Sequence, residues 1–92
     1  MELRQLRSLV ALAESLNFRK AAKKVGISQP SLTVQIQKLE KEVGVALVYR
    51  PKIKRRKVSM TAEGWWLVTR AEIILFLTKM AIRRVQKLKR AA

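Results

Sequence analysis

Residues 21–50 read AAKKVGISQPSLTVQIQKLEKEVGVALVYR, and this stretch decides the fold. A short basic helix runs into Gly26, which ends it in the left-handed conformation that glycine adopts cheaply. Ile27 plugs the core from the turn. Ser28 then caps a longer helix, and Pro30 is tolerated in its first turn, where the missing N–H had no partner. Leu32, Ile36, Leu39 and Val43 step four, three and four along this helix, which predicts a buried apolar stripe closed by Gly44. Two helices joined by so tight a turn outline a helix-turn-helix, whose second helix is suited to the major groove of DNA.

Working outward, Leu6, Leu9, Val10, Ala13 and Leu16 share one face, which predicts a first helix from about Leu3 to Leu16. Asn17 is placed to cap a second helix over about Phe18 to Val25, since its side chain accepts from an orphan N–H. Ala21, Ala22 and Val25 face inward there, and Arg19, Lys20, Lys23 and Lys24 face out. Beyond Gly44, Val45 to Arg50 and Lys57 to Met60 predict two short strands around PKIKRR, a hairpin with a basic tip, or wing. Thr61 caps a last helix from Ala62 to about Lys89, with Glu63 near its positive end. Its middle, Trp65 to Leu77, is apolar nearly all round, so one face packs on its own domain and the remainder needs another surface. The simplest such surface is the same helix of a second copy. The basic run Arg83 to Arg90 is predicted to fray. The predicted class is mostly α: a winged helix-turn-helix of three helices and a short β-hairpin over residues 1–60, then a long linker and dimerisation helix over 61–92.

Composition points to a polyanion. Lys and Arg total 21 against 6 acidic residues, a formal charge of +15 on 92 residues. Self-repulsion of that size works against a compact state, so the charge is expected to serve a partner. Duplex DNA offers a dense line of phosphates; structured RNA and anionic lipid are the competing polyanions. With no Cys and no His, disulfides, thiolate chemistry, the usual zinc sites and His-based catalysis are excluded. No catalytic residue, metal, cofactor or small-molecule site is expected within the chain. The opening MELRQLRSL lacks the apolar run of a secretory signal, and Ile73 to Leu77 is too short and too closely flanked by charge to span a bilayer. The expected place is the cytoplasm, in association with the nucleoid.

At this point the chain resembles the N-terminal domain of LysR-type transcriptional regulators. The matching residues are MELRQLRSLVALAES, then NFRKAAKKVGISQPSLTVQIQKLEKEVGVALVYR, then SMTAEG ahead of a long helix. Ala22, Ser28-Gln29-Pro30-Ser31, Gln35-Ile36, Leu39-Glu40, Gly44, Leu47 and Arg50 all fall in register, and the resemblance covers roughly residues 1–90. It implies a winged helix-turn-helix followed by linker helices that pair antiparallel in a dimer. It also implies a third helix in the major groove, a wing at a flanking minor groove, and, in the family, a large C-terminal sensing domain. The chain departs from the pattern in a longer and more basic segment, PKIKRRKVSM. It also has Val34 where relatives often carry Arg, Val48 where an aromatic or Leu is common, and the pair Trp65-Trp66. The long wing is also similar to that of molybdate-responsive regulators.

Within this frame Gln29, Thr33 and Gln37 lie on the outward side of the third helix. A Gln amide can bond bidentately to adenine, and a Thr methyl can touch that of thymine. Ser28 and Ser31 suit capping and phosphate, and Pro30 and Val34 suit a sugar or a thymine methyl. Lys52, Lys54, Arg55, Arg56 and Lys57 form the wing cluster, competing with a plain solvated charge run. Arg50 is read either as a DNA contact or as a brace of the wing against the third helix. Arg4, Lys20, Lys23 and Lys24 are phosphate candidates. Trp65 and Trp66, with Ile73, Ile74, Phe76 and Leu77, are assigned to core and dimer contacts rather than to base stacking. The expected function is sequence-specific binding of double-stranded DNA as a homodimer, with room for a higher-order assembly. The competing readings are an architectural DNA-binding protein with little sequence preference and a small RNA-binding factor.

Overall fold

The computed structural model describes residues 1–52 and 57–91. Three helices come first: α1 (Leu3–Ser15), α2 (Phe18–Val25) and α3 (Gln29–Val43). A two-stranded antiparallel hairpin follows, β1 (Val48–Tyr49) and β2 (Ser59–Met60), and α4 (Ala62–Ala91) completes the chain. The hairpin register pairs Val48 with Met60 and Tyr49 with Ser59.

The helix ends form where the capping chemistry places them. The Asn17 side chain accepts from the Lys20 N–H at 2.9 Å, and Ser28 Oγ from the Ser31 N–H at 3.2 Å. Gly26 turns the chain at φ 78°, and the Gly26 and Ile27 N–H groups return to the Ala22 carbonyl, so the orphan carbonyls of α2 are satisfied within the turn. Helix α1 ends at Ser15, one residue short of the expectation. Leu16 itself stands at φ 51°, a conformation that costs a side-chain-bearing residue about 1–2 kcal/mol and that its packing against the core retains.

Leu9 and Leu12 of α1, Ala21 and Ala22 of α2, and Leu32, Ile36 and Leu39 of α3 form one core with Leu47, Val48, Met60 and Val68. Ala21 and Ala22 carry too little side chain to hold the helices apart, so α2 sits closely between α1 and α3. Ser8 is buried in this interior, and its hydroxyl donates to the Gln35 side-chain oxygen on α3. Val68 and Ala71, 4% and 0% exposed, seat the start of α4 on the same body.

Three expectations are corrected. Val43 is 42% exposed: it continues the stripe in angle, but the last turn of α3 outruns the core and faces an open groove shared with Val45 and Trp66. The strands have two residues each instead of six and four. The N–H groups of Leu47 and Val48 are taken by the Glu40 carboxylate, and the Leu47 carbonyl accepts from Thr61 N–H at 3.0 Å, so this segment is tied to α3 and α4 rather than to a longer ladder. Helix α4 continues through Arg83 to Arg90 instead of fraying before its end.

Candidate nucleic-acid interface

The start of α3 is presented by the Gly26 turn and fixed by the Ser28 cap. Ser28 Oγ also donates to Ser31 Oγ at 2.8 Å, so both hydroxyls are engaged locally while their residues stay exposed. Gln29, Pro30, Ser31, Val34, Gln37 and Lys38 are exposed, and Thr33 and Gln35 are half-buried. The outward placement expected for Gln29, Val34 and Gln37 holds, and Thr33 is more sheltered than expected.

Helix α2 places Arg19, Lys20, Lys23 and Lys24 in solvent. Lys24 is not a free cation, since its ammonium pairs with Glu14. Arg50 is likewise engaged. Its guanidinium lies 3.3 Å from Glu40 Oε1 through both terminal nitrogens and 5.4 Å from the Phe18 ring centroid. These contacts support the bracing role, with Glu40 joining α3 to β1 and Arg50 bonding to the same carboxylate. Lys52 and Lys57 are exposed at the two ends of the wing loop; the expectations for Lys54, Arg55 and Arg56 lie outside the described residues.

Sequence reasoning placed Glu40 in register but gave it no role; its side chain is 14% exposed. A Glu on a charged helix reads as a solvated position, and only the later chain bends back onto it. Gly64 was also missed. A Cβ there would stand 2.0 Å from the Leu47 carbonyl oxygen, so the bare glycine lets α4 begin against the wing. A glycine inside the first turn of a helix was the available signal.

Helix α4 has two apolar sides. Gly64, Val68 and Ala71 face the domain. On the opposite side Trp66, Ile73, Leu77 and Met80 recur at seven-, four- and three-residue steps and are 61%, 50%, 59% and 45% exposed. Trp65 and Phe76 flank this stripe and are also exposed, whereas Ile74 is half-buried. Arg70 covers Trp66 at 4.8 Å from the ring centroid. Ile82, Val85 and Leu88 extend exposed apolar surface toward the far end, beyond what the sequence reading assigned. None of the described helices is long and apolar enough to cross a membrane.

Comparison with known proteins places this geometry. Residues 3–65 match the family model described as bacterial regulatory helix-turn-helix protein, lysR family. The chain is 48% identical over 88 residues to the Hca operon transcriptional activator HcaR of Escherichia coli K12, covering 96% of this chain and 29% of HcaR. The chain thus spans under a third of that relative's length. Among solved structures it is similar to the DNA-binding domain of CbnR in complex with DNA, with TM-score 0.86 and 38% identity, covering 96% of this chain and 98% of that one. It is also similar to the BenM DNA-binding domain with catB site 1 DNA, with TM-score 0.87 and 39% identity, covering 96% and 94% of the two chains.

Proposed function

The chain belongs to the lysR family of bacterial regulatory helix-turn-helix proteins, and from that premise we propose that it binds double-stranded DNA sequence-specifically as a homodimer, as the DNA-binding part of a transcriptional regulator. The observation that carries the reading is the capped start of α3, whose exposed Gln29, Pro30, Ser31, Val34 and Gln37 stand beside the basic face of α2 in a fold shared with domains solved on DNA. Helix α3 enters the major groove. Gln29, Thr33 and Gln37 address base edges, and Ser28, Ser31, Lys20 and Lys24 address the backbone, with Lys24 exchanging Glu14 for a phosphate. Lys52, Lys54, Arg55, Arg56 and Lys57 follow the backbone from the wing. Arg50 acts mainly by holding that wing on α3. Residues 1–60 act as the DNA-binding unit and 61–92 as the linker. Dimerisation runs through the outward side of α4, along Trp66, Ile73 and Leu77 with Trp65 and Phe76 beside them and the half-buried Ile74 at the margin, with further association open to the apolar surface beyond. Two α3 helices then address two half-sites on one face of the duplex. The protein works in the cytoplasm on the nucleoid, with no catalytic step.

The net charge of +15 favours a second reading, an architectural protein held by phosphates alone. Selection of bound duplexes from a random library at physiological salt separates the two. Recovery of an inverted repeat is expected. Recovery of no motif, with steeply salt-dependent binding, would establish the architectural reading.

A further inference from the structure

On the footing of the DNA-binding reading, we propose that Pro30 and Val34 form a subsite for the 5-methyl group of a thymine, with Arg4 and Lys38 on the flanking phosphates. The exposed surface of α3 from Gln29 to Lys38 is polar or charged except at these two residues, which stand one helical turn apart and so share a face. Val34 is 46% exposed. An open groove of about 330 Å³ lies between the start of α1 and this part of α3, and its lining includes Arg4, Gln5, Pro30, Val34, Gln35 and Lys38. The groove thus sets two apolar side chains beside an amide wall, with cations at its rims.

The chemistry of that lining selects the ligand. Among the base edges of the major groove, only thymine presents an apolar group. Valine and proline side chains neither donate nor accept, so pressing them on a cytosine or adenine amine would strip its water without replacement. The wall is set from the interior, because the buried Ser8 hydroxyl holds the Gln35 side-chain oxygen. Arg4 is bonded to Glu2 at 2.6 Å, but the two side chains are 69% and 57% exposed, and such a surface pair holds weakly enough for a phosphate to replace the carboxylate. Lys38 makes no ion pair with any described residue. Arg4 and Lys38 lie on different helices at one groove, so a strand crossing it meets both cations while a base edge reaches Val34.

The test uses the 92-residue chain and a duplex recovered from the selection, with each thymine of a half-site replaced singly by deoxyuridine, which removes only the methyl. The wild-type chain is expected to lose about fourfold in affinity at one or two adjacent positions, the worth of one buried methyl. Val34→Ala is expected to narrow the difference between the thymine and uracil duplexes at those positions, because only Pro30 and a single methyl remain, with an unchanged thermal melt because the residue is exposed. Wild-type indifference at every thymine, a half-site without thymine, or an undiminished penalty in Val34→Ala would overturn the subsite and leave DNA binding standing. A wild-type chain that retains no duplex overturns both.

Discussion

Among the described residues, Glu40 gathers more of the structure than any other single charge. One carboxylate oxygen accepts from the Leu47 and Val48 N–H groups at 2.8 and 3.2 Å, and the other from Arg50. A carboxylate on a chain with so large a cationic excess has many partners to choose from, yet it bonds to two backbone donors. Its removal therefore does more than break an ion pair. Glu40→Ala leaves two part-buried N–H groups without an acceptor, and each such orphan costs about 1–3 kcal/mol. A loss of about 2–4 kcal/mol in urea unfolding is expected, with Glu40→Gln recovering about half through its amide oxygen. An unchanged midpoint in Glu40→Ala would mean that water serves those donors equally well. Gly64 makes the complementary case. Alanine is the better helix former by about 1 kcal/mol, but its Cβ would meet the Leu47 carbonyl oxygen, which is backbone and cannot swing aside. Gly64→Ala is expected to destabilise by about 1–3 kcal/mol net. A stabilised variant in the same unfolding assay would show that α4 can slide off the wing at no cost.

The elements differ in how far the sequence reveals them, and the reason is locality. Helices α2 and α3 are specified by residues within their own bounds: Asn17 and Ser28 at the caps, Gly26 in the turn, and the Leu32, Ile36 and Leu39 stripe. Each of these signals acts over a turn or less, so each is legible. The wing is specified from outside, by Glu40 on α3 and by Thr61, whose hydroxyl donates to the Ala46 carbonyl at 2.8 Å while accepting from Gly64 N–H at 3.0 Å. β-Branched residues around position 45 thus predicted strands longer than the ladder that forms. The outward residues of α3 were legible as a set, because the stripe fixes the face they oppose, whereas the Glu14 and Glu40 pairings of Lys24 and Arg50 depend on tertiary approach. At this scale α3 and the wing are expected to fail differently. Gln29→Ala should erode discrimination between the selected site and its single-base variants by about 1–3 kcal/mol while largely sparing non-specific affinity. An unchanged site preference in competition binding would remove Gln29 from the reading surface. Replacing Lys52, Lys54, Arg55, Arg56 and Lys57 with Gln should weaken all duplexes together and flatten the salt dependence, by roughly 0.9 in slope for each phosphate no longer neutralised. A slope equal to that of the wild type would leave the wing in solvent.

At the scale of the molecule, α4 carries the dimerisation we propose. The chain extends 58 Å along its long axis but only 25 and 18 Å across, because the last turns of α4 run on past the groove that Leu75, Thr78 and Ile82 share with α1 and α2. A projecting helix with apolar residues on both sides is poorly served by water, and its outward stripe of Trp66, Ile73, Leu77 and Met80 follows the spacing that packs one helix along another. In the dimer we propose, the same stripe sets the geometry of DNA binding, since one α3 would address one half-site and only a fixed pair can read an inverted repeat. Phe76→Asp combined with Leu77→Asp tests this without touching the core, because both side chains are about 60% exposed in the single chain. Carboxylates there remain hydrated in a monomer but would be stripped of water in a helix pair, at a cost of several kcal/mol for each buried charge. Sedimentation is expected to find a folded monomer with the wild-type helical content, and binding to the inverted repeat should fall to that of an isolated half-site. The linkage is then visible in one titration: the drop in affinity is the contribution of holding two readers at a fixed spacing. A double variant that still sediments as a dimer would move the interface away from Phe76 and Leu77, with Val43 and Val45 in the groove beside the start of α4 the next to be charged.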